Sequence, residues 1–228
     1  MHLNKIGTFE DFRHFATDKG NIKPSVIDDK KVLDFITPNI LEERQLNVTQ
    51  LDVFSRLMLD RIIFLSGEVN TTSMDVISAQ LLYLDSVDNR DINLYINSPG
   101  GDCYSGLQLC SVMDFISSDV ATTVMGIAAS MGAVIASNGT KGKRYGLPYS
   151  RFMVHQPSSY NGYVKFQDSK IALQEMESIR NDLYELLAKN SGKTIEDIIP
   201  MCENGDRWMK TEEAIKEGFL DNLILKKE

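Results

Sequence analysis

From residue 61 onward, short runs of apolar, often β-branched residues alternate with stretches whose apolar positions recur every three or four residues. Residues 61–65 predict a strand ended by Gly67, and 72–84 carry helical spacing through Val76, Ala79, Gln80 and Tyr83. Residues 91–97 alternate as a strand and 104–116 are helical again. Residues 121–125, rich in β-branched side chains, predict a buried strand, and the Ala- and Met-rich run through Ser137 a short buried helix. Gly126 supplies the bend on this reading, which leaves Ser130 at a strand-to-helix junction. Upstream, Thr49 three places before Asp52 predicts a capping box for a helix through Leu59.

The order then changes. Residues 143–146 and 151–155 read as short strands around Pro148. Residues 168–189 make a long amphipathic helix with Ala172, Met176, Ile179, Leu183 and Leu186 in one stripe. At about 33 Å it is as long as a domain is wide, so it is expected to project and pack on another subunit. Gly192 stops it, Thr194 with Asp197 starts a short helix, and 211–216, closed by Gly218, form the last. Repeated β-then-α units predict an α/β fold with a mainly parallel sheet. Residues 1–37 break this rhythm: a short helix over 8–16 is followed by a polar stretch interrupted by Gly20 and Pro24. The expected organisation is a flexible N-terminal extension over 1–37 and one domain over 38–228.

Composition narrows the function. A net charge of −8 argues against nucleic-acid binding, which needs clustered Lys and Arg. The densest basic run, Lys141-Gly142-Lys143-Arg144, reads as a solvated turn. No apolar stretch approaches the roughly 20 residues of a membrane span, and the N-terminus lacks a signal-peptide core. Cys103, Cys110 and Cys202 form no paired motif, which predicts buried, inert thiols in a reducing cytoplasm.

Ser130 is the one candidate nucleophile so framed. Near a helix N-terminus, unpaired N–H groups and the positive end of the helix dipole favour a developing oxyanion. A serine needs a base, and of the three histidines only His155 lies inside the predicted fold, where an apolar strand meets a loop. The carboxylate that would orient the imidazole follows His155: Asp168, Asp182, Asp197, Asp206 and Asp221 are all available. Asp206 is favoured because Arg207-Trp208-Met209 can draw it inward. Asn97-Ser98-Pro99-Gly100-Gly101, between a strand and a helix, can bring backbone N–H groups to a reacting carbonyl. Gly192-Lys193-Thr194 is half of a phosphate-binding loop, but Leu187 stands where its first glycine should be and a helix precedes it. The nucleophile context Ala128-Ala129-Ser130-Met131-Gly132 lacks the first glycine of a G-x-S-x-G elbow, and the order Ser, His, Asp differs from that of α/β-hydrolases.

These motifs, in this order, resemble the ClpP-type serine peptidases, the proteolytic subunits of ATP-dependent Clp proteases. The resemblance runs from about residue 40 to 225 and rests on the segments 52–57, 61–65, 95–101, 125–132, 141–144 and 153–157. It implies a crotonase-like fold, a Ser130–His155–Asp206 triad and an oxyanion hole from the N–H groups of Gly101 and Met131. It implies two stacked heptameric rings joined through the long helix, an AAA+ unfoldase docked at Tyr95, Phe115, Met125 and Tyr145, unfolded polypeptides as substrates, and no cofactor or metal. Thr123 stands where the docking pocket usually has an apolar residue, and Asp102 where a small or apolar one is common. Residues 158–169 depart from the family's Gly-rich strand, and the loop before Asp206 is one residue longer. These departures predict a divergent paralogue able to pair with a second, more typical subunit. Two rival functions stay open: a non-catalytic ring subunit serving assembly, and a crotonase-type acyl-CoA enzyme.

Overall fold

The computed structural model describes residues 39–44, 47–158 and 165–225. The expected extension over 1–37 and residues 159–164 of the divergent segment 158–169 lie outside the described residues. Two compact units divide at Leu57 and Met58. In the first, β1 (Asn39–Arg44) and β2 (Asn47–Asp52) form an antiparallel pair. A helix, α1 (Val53–Leu59), follows directly. The capping box expected at Thr49 is therefore replaced: Thr49 is a ladder residue opposite Glu42, and its backbone is committed to the pair. Asp52 caps α1 instead, its carboxylate accepting from the N–H groups of Phe54 (2.9 Å) and Ser55 (3.1 Å).

The second unit is the predicted α/β arrangement. In chain order it comprises β3 (Ile62–Val69), α2 (Thr71–Val87), β4 (Ile92–Gly101), α3 (Cys103–Phe115), β5 (Val120–Ala129) and α4 (Met131–Ser137). Then come β6 (Arg144–Gly146), β7 (Arg151–Val154), α5 (Phe166–Ser191), α6 (Ile195–Glu203), β8 (Arg207–Lys210), α7 (Thr211–Lys216) and β9 (Asn222–Leu223). The sheet runs β3-β4-β5-β6-β9 with every pair parallel; β7 adds to β5 in parallel, and β8 to β7 antiparallel. Ile92, Leu94 and Ile96 alternate into the core, whereas Val120 through Val124 is buried without alternation. That continuous run marks β5 as the central strand, covered on both faces.

Two strands outrun their sequence punctuation. β3 passes Gly67 with a register shift between Ser66 and Glu68 and continues to Val69. β5 passes Gly126, whose absent side chain admits Asn97: a Cβ there would lie 2.6 Å from Asn97 Oδ1, which accepts the Ile127 N–H. Gly126 thus serves a close approach rather than a bend, and the reversal falls at Ser130 itself.

Buried arginines tie the elements together. Arg61, in a left-handed conformation (φ 63°), donates to the carbonyls of Leu84 (2.8 Å) and Arg90 (2.7 Å) and pairs with Asp88 at 3.1 Å. These bonds close the C-terminal end of α2, where helix carbonyls lack partners. The basic run over 141–144 is a solvated turn only at Lys141 and Gly142. Arg144 is 3% exposed and pairs with Asp221 at 2.6 Å, while Lys143 bridges Asp91 and Asp119. The long helix is as expected, but only Leu183, Tyr184, Leu187 and Ala188 of it are buried, all near its C-terminal end.

Candidate active site

Strand register brings three distant side chains to one end of the sheet. In the β5–β7 pair Ala129 is opposite Met153, and in the β7–β8 pair Val154 is opposite Arg207. Ser130 is the residue after Ala129, His155 the residue after Val154, and Asp206 the residue before Arg207. The Ser130 N–H still bonds to Met153 O (2.9 Å), and the Gln156 N–H bonds to Cys202 O (2.9 Å), fixing the chain on both sides of His155. His155 Nε2 then lies 2.8 Å from Ser130 Oγ, and His155 Nδ1 lies 3.3 Å from Asp206 Oδ1. The rival carboxylates are elsewhere. Asp221 is committed to Arg144, Asp197 closes the capping box of α6 with Thr194, and Asp168 and Asp182 are exposed on α5.

Ser130 is one of two non-glycine residues at positive φ among the described residues, with φ 54° and ψ −124°. Such a conformation costs about 1–3 kcal/mol and persists only where the surroundings enforce it. The turn lets the hydroxyl leave the sheet while α4 begins at the next residue. Gly100 makes the turn possible: a Cβ there would lie 2.6 Å from Ala129 O, 2.7 Å from Ser130 Cβ and 2.8 Å from Met131 N. The Met131 N–H, first in its helix, has no intrahelical acceptor. On the other side the Asp102 N–H bonds to Val69 O at 2.8 Å. Gly101, the last residue of β4, is opposite Val69 in the β3–β4 pair.

The nearby thiols are poor nucleophiles. Burial, aided by the Asp102 charge, raises Cys103 above its ordinary value. Burial pushes Cys110 and Cys202 up to about 12, with Asp114 and Glu203 respectively adding to the effect. The expectation of buried thiols holds for Cys110 and Cys202 but not for Cys103, which is half-buried. Among the described residues no His, Cys, Asp and Glu side chains cluster as a metal site would require. No helix there is long and apolar enough to cross a membrane.

The family model for Clp protease matches residues 44–227. This chain belongs to the Clp protease family. An ATP-dependent Clp protease proteolytic subunit of Bacteroides fragilis (strain YCH46) is 46% identical over 221 residues, which is 96% of this chain and all of that protein. Proteins of the same description from Porphyromonas gingivalis and Streptococcus salivarius are 43% and 45% identical, over 95% and 82% of this chain and 98% and 96% of their own lengths. The α/β architecture with its mostly parallel sheet is that of the Clp protease fold.

Of the four docking residues inferred from the Clp protease resemblance, three share one face of the sheet. Tyr95 is opposite Thr123, which is opposite Tyr145, and Met125 lies two residues along β5 from Thr123. Tyr95 also stacks on Phe64 at 5.6 Å. Phe115 ends α3 and is exposed. Sequence reasoning missed the walls around the serine. Cys103, Val134, Val154, Pro157, Leu183, Tyr184 and Leu187 surround a cavity with Ser130, Met131 and His155. They come from three helices, the end of β7 and a loop, and apolar spacing alone marks them only as core.

Proposed function

We propose that this chain is the serine endopeptidase subunit of a Clp-type protease. The single observation that carries the reading is the run of contacts from hydroxyl to imidazole to carboxylate, at 2.8 Å and 3.3 Å. With Nδ1 protonated and facing Asp206, Nε2 offers its lone pair to the serine proton. Ser130 Oγ attacks the scissile carbonyl as His155 takes that proton, and the Gly101 and Met131 N–H groups stabilise the oxyanion. The imidazolium, held by Asp206, returns the proton to the leaving amine. Water, deprotonated by His155, then releases the acyl group and restores the serine. No step calls for a cofactor or metal. Peptidase activity is expected to fall in acid, because protonation occupies the Nε2 lone pair; kcat/KM against pH measures this, and a flat acid limb counts against His155 as base.

The wider assembly follows from the family. Two stacked heptameric rings would enclose the sites, α5 would join them, and a hexameric AAA+ ATPase docked near Tyr95, Met125, Tyr145 and Phe115 would deliver unfolded chains. Such a particle would work in the cytoplasm, as a homo-oligomer or with a more typical paralogue. A non-catalytic ring subunit is the second reading. Asp206 favours it, being 57% exposed and further from the ring than the 2.7–2.9 Å usual for a charge-assisted bond. A fluorophosphonate applied to the native particle separates the two. Label at Ser130, lost with Ser130→Ala, is expected; an assembled particle that takes none supports the structural role.

A further inference from the structure

Both proposed oxyanion donors meet the first turn of α3. Gly101 ends β4, two residues before that helix begins, and with Gly100 beside it the chain has the wide backbone freedom of paired glycines. A Cβ on Gly101 would overlap Val69 O, so no side chain of its own can anchor it. Met131 reaches the same turn from the other side: its side chain lies over Gly106, where a Cβ would overlap Met131 Cγ. We propose that Asp102, between Gly101 and α3, is a positioning residue for the reaction. Its carboxylate locks the first turn of α3 and thereby fixes the separation of the Gly101 and Met131 N–H groups. This role rests on the serine-peptidase reading above.

Asp102 is tied through both backbone and side chain. Its N–H bonds to Val69 O of β3 at 2.8 Å, and its carbonyl accepts from the Gly106 N–H at 3.1 Å. Its Oδ1 accepts from the Ser105 N–H at 2.7 Å and from the Ser105 hydroxyl at 2.6 Å. An ionised carboxylate only accepts, so the Ser105 proton points to Asp102. That leaves an oxygen lone pair for the hydroxyl of Thr71, the first residue of α2, whose Oγ1 lies 3.3 Å away. Ser105 is 4% exposed, so water cannot replace these partners. β3, α2 and α3 are thus joined at the residue that follows the oxyanion glycine. Alanine at 102 would leave the buried Ser105 N–H and hydroxyl without their acceptor, and the turn must move to find another. Asparagine offers the same acceptor oxygen without the charge.

The test uses the assembled full-length protein, a fluorogenic peptide and a peptide boronate, whose tetrahedral adduct on Ser130 Oγ sets an oxygen where the oxyanion forms. Misplacement by about 1 Å can cost about 100-fold, so Asp102→Ala is expected to lower kcat by about 10- to 100-fold with KM within about twofold. Boronate affinity should fall by the same factor as kcat, because both read the oxyanion donors. Asp102→Asn is expected to rescue kcat to within about threefold of wild type. A cap that served only the stability of α3 would lower the urea midpoint of Asp102→Ala and move none of these. Ser105→Ala, which removes the hydroxyl bond alone, should lower kcat by about threefold and decides the matter if Asp102→Ala does not assemble. Unchanged kcat in assembled Asp102→Ala, or in Ser105→Ala where it stands in, overturns the role of Asp102 and leaves the peptidase reading intact. So does an Asp102→Asn particle no more active than Asp102→Ala. A wild-type particle that cleaves no peptide and takes no fluorophosphonate at Ser130 overturns the peptidase reading, and the role of Asp102 with it.

Discussion

Ser130 occupies its strained conformation because everything around it leaves no other. The preceding amide is held by Met153 O, the next residue opens α4, and Gly100 lies where any side chain would collide with the turn. Gly100→Ala would introduce a Cβ within 2.6–2.8 Å of three turn atoms at a φ of 94°. The turn must shift, and a displacement of about 1 Å at a nucleophile can cost about 100-fold in rate. A loss of that order in kcat, with α-helical circular dichroism preserved, is the expected result. Asp206→Asn tests the third member. An amide keeps the shape but can stabilise the wrong imidazole tautomer, so kcat should fall by up to about 10⁴-fold with little change in KM. A fall of less than about tenfold would mean that the exposed carboxylate does not orient His155.

At the scale of elements, charge holds apart what apolar packing alone would leave loose. Burial alone raises the Asp221 carboxyl; the Arg144 hydrogen bonds and charge, with the Arg144 and Gly142 N–H groups, outweigh it and leave the group below its ordinary value of 3.8. A carboxylate depressed in the folded state contributes stability that is complete above its unfolded value and disappears as pH falls through the folded one. Asp221→Asn should therefore lower the urea midpoint near neutrality, and the variant and wild-type curves should converge only below about pH 3.8. Arg144→Met takes the guanidinium from the part-buried Asp221, which keeps only the Gly142 and residue-144 N–H groups, and a loss of about 3 kcal/mol is expected from the same denaturation experiment. The pair joins β6 to the turn before β9, so the stake is the outer edge of the sheet, not the serine. Labelling of Ser130 should survive wherever Arg144→Met still folds.

At the scale of the whole molecule, α5 is only half used. Phe166, Ile171 and Leu173 are 82%, 65% and 60% exposed near its N-terminal end, while burial begins at Leu183. Apolar side chains so exposed along several turns need a partner surface. Under the proposed assembly that partner is another copy of the helix across the ring–ring contact. Leu173→Glu paired with Ile171→Glu should convert a two-ring particle to single rings, read as a halving of native mass. Unchanged mass would place the ring contact on another surface.

The sequence by itself determined the elements and the candidate chemistry. Hydrophobic period marked the helices of the second unit and the strands β3 to β7 but not β1, β2, β8 or β9, which are short or pair at the margins, and isolation inside the fold singled out Ser130 and His155, because both signals are local and need no distant partner. Five carboxylates follow His155, and the sequence favours Asp206 only by its apolar neighbours and the family resemblance; register supplies the physical reason, because Val154 opposite Arg207 carries Asp206 to the imidazole and leaves Asp221 to Arg144. Register also turned Thr49 from a cap into a ladder residue and Arg144 from a surface charge into a buried one. The pocket walls were legible only as core, since the same apolar spacing serves a helix packed on its own domain and one that closes on a substrate. Pairing between residues tens of positions apart is a property of the folded chain, and the site is built from such pairings.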